Sequence, residues 1–248
     1  MTHETITLPT VFFYALLTAI ATGLGALPFF FAKSLSRSVM GLANAAAAGL
    51  MIAASFSLVY EGFEGDPLLT AVGVVVGLLF IVASQRIVHK HQDLRFPQAD
   101  AAQSGKMLLI VAVMTLHSFT EGVGVGVSFG GGEQLGALIT AAIALHNVPE
   151  GLAITLILVP RGVSAIRAAG WSIFSSLPQP LMAVPAFLFV EQFAAFLPAG
   201  LGFAAGAMLW MCVAEILPDA LADPTANRTG IIVTLAVAAM ILFQMLIG

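Results

Sequence analysis

The sequence predicts an all-α, polytopic membrane protein with eight transmembrane helices. Three observations carry that prediction: very little charge, apolar runs of membrane length, and cations confined to every second connection. Of the 248 residues, 59% are hydrophobic and 9% are charged, whereas a soluble domain carries roughly a quarter charged residues. So few ionic groups cannot coat a water-soluble globule of this size, which makes lipid the solvent. The net charge of −4 is modest, and no basic patch interleaved with aromatics marks a nucleic-acid surface. The single cysteine, Cys212, excludes an internal disulfide and any multi-thiolate metal site.

Each element follows from one ruler: about 20 apolar residues, rising about 1.5 Å each, cross a hydrocarbon core of about 30 Å. The first run, 8–32, is read as a retained span. Its first cation is Lys33, so the charged leader of a signal peptide is missing, and the run is too long for a signal core. Spans two and three cover 38–60 and 67–88, followed by a cytoplasmic loop at 89–106. Spans four and five cover 107–128 and 134–159. Span six, 164–189, is the least regular, with Pro178, Pro180 and Pro185. An interrupted helix survives in a bilayer only where its freed backbone faces protein or a wet cavity. Spans seven and eight cover 196–217 and 229–247, which makes residues 1–248 a single transmembrane domain.

The cations test that count. Lys33, Arg37, Arg86, Lys90, Arg95, Lys106, Arg161, Arg167 and Arg228 follow spans one, three, five and seven, all on one side. The opposite connections, around Glu61–Asp66, 130–134 and 191–193, hold none. Positive charge marks the cytoplasmic face. The expected protein therefore sits in the plasma membrane with both termini outside.

Among the acids, Glu61, Glu64 and Asp66 form an outside cluster, while Asp219 and Asp223 fall in or beside a cytoplasmic loop. Glu121, Glu150 and Glu215 stand inside spans four, five and seven. A carboxylate at that depth is costly and marks a functional site by default. Two of these acids sit in a repeated frame. Span four reads His117-Ser118-Phe119-Thr120-Glu121-Gly122, and span five reads His146-Asn147-Val148-Pro149-Glu150-Gly151. A spacing of four puts His and Glu on one helix face, one turn apart. Two such faces opposed would offer two imidazoles and two carboxylates to one point. That set suits Zn²⁺ and, with more oxygen, Fe²⁺ or Mn²⁺. Pro149 removes a backbone hydrogen bond from span five and should kink it.

At these residues the sequence resembles the Zrt/Irt-like protein family of divalent metal transporters, known as ZIP, in its prokaryotic form. His146 to Gly151 matches the fifth-span motif in full. His117 to Gly122 matches the fourth-span motif with Ser118 and Thr120 as departures. The resemblance implies transport of zinc, with iron, manganese and cadmium as further candidates, toward the cytoplasm. It also implies a homodimer and a metal site between helices four, five and six. One metal position would use His117, Glu121, His146 and Glu150. A second would share the two carboxylates and add Asn147, Ser118 and Gln179, where relatives often carry Glu. Met51 would offer a thioether, with packing as the competing reading. Glu215 would assist metal transit, with a helix-partnering role as its competitor.

His89 and His91 resemble the His-bearing loop of the family, against the plainer reading of a solvated loop. The small residues of 41–49 and 202–206 are expected at close helix contacts. Two rival functions remain: an intramembrane zinc-dependent hydrolase and a metal-regulated, receptor-like membrane protein. The hydrolase is disfavoured because the frame is His-x-x-x-Glu rather than His-Glu-x-x-His, and because four protein ligands would close the open position that catalysis needs.

Overall fold

Polar caps and prolines decide where each span begins. The computed structural model describes residues 6–32, 36–90, 101–159, 162–222 and 226–247. Helix α1 (Leu8–Leu24) starts at Thr7, whose hydroxyl accepts from the Thr10 N–H, and runs into a short 3₁₀ turn at Leu27–Phe30. Helix α2 (Arg37–Gly65) starts at Ser36, whose Oγ accepts from the Val39 N–H. Asp66 stops α2 and starts α3 (Pro67–Lys90): its Oδ1 accepts from the Leu68 and Leu69 N–H groups, both at 2.9 Å. This satisfies two donors that a helix start leaves open. Helix α4 (Ala101–Gly130) turns tightly into α5 (Glu133–Leu158) through Gly132. With φ of 121°, Gly132 occupies a region that side chains disfavour.

The sixth span, expected as one run, is two helices, α6 (Ala165–Ser176) and α7 (Pro178–Gln192). Pro178 has no N–H to give the Phe174 carbonyl, so the Leu177 N–H takes it in a tighter turn at 3.2 Å. Pro178 and Pro180 then lie in the first turn of α7, where missing donors cost nothing. Pro185 lies inside α7 and α5 continues through Pro149, both without a break in the helix. The seventh span comprises α8 (Leu197–Met211), a π-helical segment at Cys212–Ile216, and α9 (Leu217–Leu221). Pro218 cannot donate to Ala214, which accounts for the widened turn just before it. Helix α10 (Ala226–Ile247) closes the chain.

Among the described residues, seven runs are long and apolar enough to cross a membrane: Leu8–Phe30, Ser38–Gly65, Pro67–Ile87, Glu133–Leu158, Ala165–Gln192, Ala194–Leu221 and Arg228–Leu246. The eighth helix, α4, has 30 residues, and its side chains are described from Met114 onward. No strand occurs among the described residues. Large apolar side chains such as Phe13, Phe56, Leu79, Leu181 and Leu242 point outward, as a lipid-facing surface requires.

The helices pack as two groups. Helices α1, α4, α5, α6 and α7 contact one another, and α2, α3, α8 and α10 form the other group. The groups meet where α2 packs on α5 and α4 on α8. Backbones approach closely where side chains vanish. A Cβ on Gly122 would lie 2.5 Å from the Gln179 carbonyl oxygen, so that glycine is what brings α7 against α4. Gly202 and Gly206 likewise lay α8 against the Thr70 and Val74 backbone of α3. Leu58, Val125, Phe129, Ile139, Ile143, Leu201 and Met208 form one fully buried cluster. It fills the half of the bundle away from the cation-bearing connections.

Candidate metal centre

The site begins with helical spacing. His117 and Glu121 lie one turn apart on α4, and His146 and Glu150 one turn apart on α5. The packing of α4 against α5 brings three of the four together. Glu121, His146 and Glu150 are all buried, and each offers a ligand atom within 4.8 Å of the others. Glu121 Oε1 lies 3.3 Å from His146 Nε2. Both carboxylate oxygens of Glu150 and Nδ1 of His146 have no hydrogen-bond partner among the described residues. A buried polar atom without a partner forfeits its hydration and gains nothing back. Two such carboxylates side by side call for a cation between them.

His117 stands elsewhere. Its Nε2 lies 2.7 Å from Glu215 Oε2, and its residue is not part of the close group of three. Glu215 sits in the π-helical segment, and its other carboxylate oxygen accepts a hydrogen bond from the Gln85 side-chain amide of α3. The acid of span seven is thus tied to both α3 and α4.

Asn147, Gln179 and Ser118 form a second, hydrogen-bonded layer. Gln179 is fully buried. Its Oε1 accepts from Thr18 Oγ1 at 2.5 Å and from Asn147 Nδ2 at 3.1 Å. Its Nε2 donates to Glu121 Oε2 at 2.6 Å. Asn147 Nδ2 also donates to the Thr18 carbonyl at 2.8 Å. Ser118 Oγ reaches Ser176 Oγ at 3.5 Å, and Ser176 Oγ pairs with Thr22 Oγ1 at 2.8 Å. The amide of Gln179 therefore sits on the free side of Glu121 and spends that oxygen on a hydrogen bond. The hydroxyls of Thr18, Thr22 and Ser176 were not singled out from sequence, because isolated Thr and Ser in a span carry no periodic signal.

A cavity of about 130 Å³ borders the close group of three. It is lined by His117, Glu121, His146 and Glu150, by Met51, Met114 and Met211, and by Glu215 and Asp219. Exposure rises along it: Glu121 is fully buried, the Glu215 side chain is 29% exposed, and Asp219 is exposed. The mouth lies at the ends of α2, α5 and α9 that lead into the cation-bearing connections. The opposite direction is blocked by the apolar cluster around Phe129 and Ile139. Asp219, expected in or beside a cytoplasmic loop, lies at the mouth in the short α9 that ends at Leu221. Its spacing of four from Glu215 repeats that of the His and Glu pairs, a signal present in the sequence. Met51 is buried and lines the cavity wall, joined there by Met114 and Met211. In the acidic cluster of Glu61, Glu64 and Asp66, Asp66 uses its carboxylate to cap α3. His91 and most of the loop that follows lie outside the described residues, as does the side chain of His89.

The ZIP Zinc transporter family profile matches residues 87–244. A putative zinc transporter of Arabidopsis thaliana is 47% identical over 242 residues, covering 96% of this chain and 39% of that protein. The zinc transporter GufA of Myxococcus xanthus is 36% identical, covering 83% of this chain and 86% of the relative. The zinc transporter ZIPB of Bordetella bronchiseptica is 31% identical, covering 80% and 69%. The chain thus spans well under two thirds of the plant protein but most of the two bacterial ones. An all-helical bundle with membrane-length runs, a buried Glu–His–Glu group and these matches lead to one assignment: the chain belongs to the ZIP family of zinc transporters.

Proposed function

We propose that this protein carries a divalent transition-metal ion, zinc first, through a centre formed by Glu121, His146 and Glu150. One observation carries the reading: two buried carboxylates and an imidazole converge within 4.8 Å, with both oxygens of Glu150 unpartnered. Nitrogen and carboxylate donors suit Zn²⁺, and the same set accepts Fe²⁺, Mn²⁺ or Cd²⁺ less selectively. Met51 offers a neighbouring thioether, which favours Cd²⁺ among these. His117 supplies a fourth ligand when it turns from Glu215 to the centre. Without thiolate, the set binds loosely enough to release its ion.

The ion leaves toward the cation-bearing face, which is cytoplasmic by the positive-inside rule, and both termini lie outside the plasma membrane. The graded exposure from Glu121 to Asp219 supports that direction, and the sealed opposite half fits a conformer open for release. One ion is held per chain, because Gln179 takes up the free side of Glu121 with an amide. Uptake of Zn²⁺, Fe²⁺, Mn²⁺ and Cd²⁺ into proteoliposomes tests the reading. Metal-dependent uptake that Glu150→Ala abolishes is the expected result. Binding without uptake would favour the receptor-like alternative, and neither would leave the centre without a role.

A further inference from the structure

We propose that Gln85 is a positioning residue for ion release: by holding Glu215, it draws His117 away from the Glu121–His146–Glu150 centre and leaves that centre one ligand short while the cavity is open. The proposal rests on the transport reading above and extends it to a residue that touches no ion. Gln85 is 7% exposed on α3 and lies outside the cavity lining. Its side-chain amide donates to one oxygen of Glu215, and the other oxygen of Glu215 lies 2.7 Å from His117 Nε2. The three side chains form a chain from α3 through the π-helical segment to α4.

Each link has a physical reason. The π-helical segment is a widened turn that carries Glu215 out of regular α-helical register. A carboxylate in that position needs a donor to fix its direction, and Gln85 supplies one. Fixed in this way, Glu215 presents its second oxygen to His117, one helical turn from Glu121. His117 therefore has two competing destinations, the ion and Glu215. An ion held by three protein groups dissociates more readily than one held by four. The Gln85 bond thus tilts the competition toward Glu215 and toward release.

The test is Gln85→Leu, which keeps the side-chain size and removes the donor; Gln85→Met serves if the first variant folds poorly. Zn²⁺ affinity is measured by titration calorimetry on the full chain in detergent, and uptake by proteoliposome kinetics. Zn²⁺ affinity is expected to rise by about tenfold, the scale of one charge-assisted hydrogen bond. KM and kcat for uptake should fall together, because tighter ground-state binding slows release. In a His117→Ala background, Gln85→Leu should leave affinity unchanged, since the coupling runs through His117. A purely structural role for Gln85 would lower thermal stability while leaving KM and kcat each at its wild-type value, and would overturn the proposal. So would an unchanged affinity in the single variant, or an equal effect with His117 absent. Failure of the transport reading is distinguishable, because wild-type protein would then show no uptake at all.

Discussion

Gln179→Glu replaces the amide that donates to Glu121 with a carboxylate, and the structure sets the size of the effect. The two side chains meet at 2.6 Å. Two unit charges at that separation repel by about 6 kcal/mol at an effective dielectric constant of about 20. A hydrogen bond to a charged group, about 1.5–3 kcal/mol, is lost as well. The acceptor side of the residue is preserved, because Thr18 and Asn147 both donate to Oε1 and can donate to a carboxylate oxygen. The metal-free variant is therefore destabilised by several kcal/mol, and a second dication between residues 121 and 179 relieves the repulsion. Asn147 Oδ1, which lacks a partner, is available to that ion. Titration calorimetry with Zn²⁺ and Cd²⁺ should count one ion per wild-type chain and two per variant chain. Free metal at about 100 times Kd should restore about 2.7 kcal/mol to the variant. Its melting temperature should then fall on chelation by more than that of the wild type. Turnover should slow as release becomes limiting. Two equally tight ions in the wild type, with no change in the variant, would refute the assignment of Gln179 as the group that excludes a second ion.

The remaining predictions concern the centre, its frame and its orientation. Glu121→Ala and Glu150→Ala should both reduce uptake to background. Only Glu121→Ala should also cost metal-free stability, by about 1–3 kcal/mol, because it strands the Gln179 donor whereas Glu150 accepts no bond; thermal unfolding in a chelator compares them. Gly122→Ala should destabilise by about 1–3 kcal/mol through overpacking against the Gln179 backbone. Gly170→Ala in α6, where a Cβ meets nothing within 4 Å, should be neutral or stabilising. Single cysteines at Glu64 and Gln98, in a Cys212→Ser background, should label with an impermeant reagent from opposite sides of the membrane; equal access from outside would overturn the topology.

The sequence alone determined the solvent, the helix class and the residue types of the candidate centre. A shortage of charge and runs of apolar residues are summed properties, so they survive without knowledge of contacts. The His-x-x-x-Glu frames are local, and helical geometry guarantees that each pair shares a face whatever the packing. The split of span six was half legible: Pro178 and Pro180 marked a disturbance, but Pro149 and Pro185 look the same in sequence and leave their helices whole. What the tertiary structure decided is the partnership of each polar group. His117 carries the same motif as His146, yet one faces Glu215 and the other Glu121, because the π-helical segment brings Glu215 to α4 while α5 sets His146 against Glu121. Gln179 is 58 residues from Glu121 and 161 from Thr18 along the chain. Only the close approach of α7 at Gly122 makes it a hydrogen-bond partner instead of an open ligand position. Side-chain hydrogen bonds between helices depend on rotation and depth to within an ångström, and no period in the sequence encodes either.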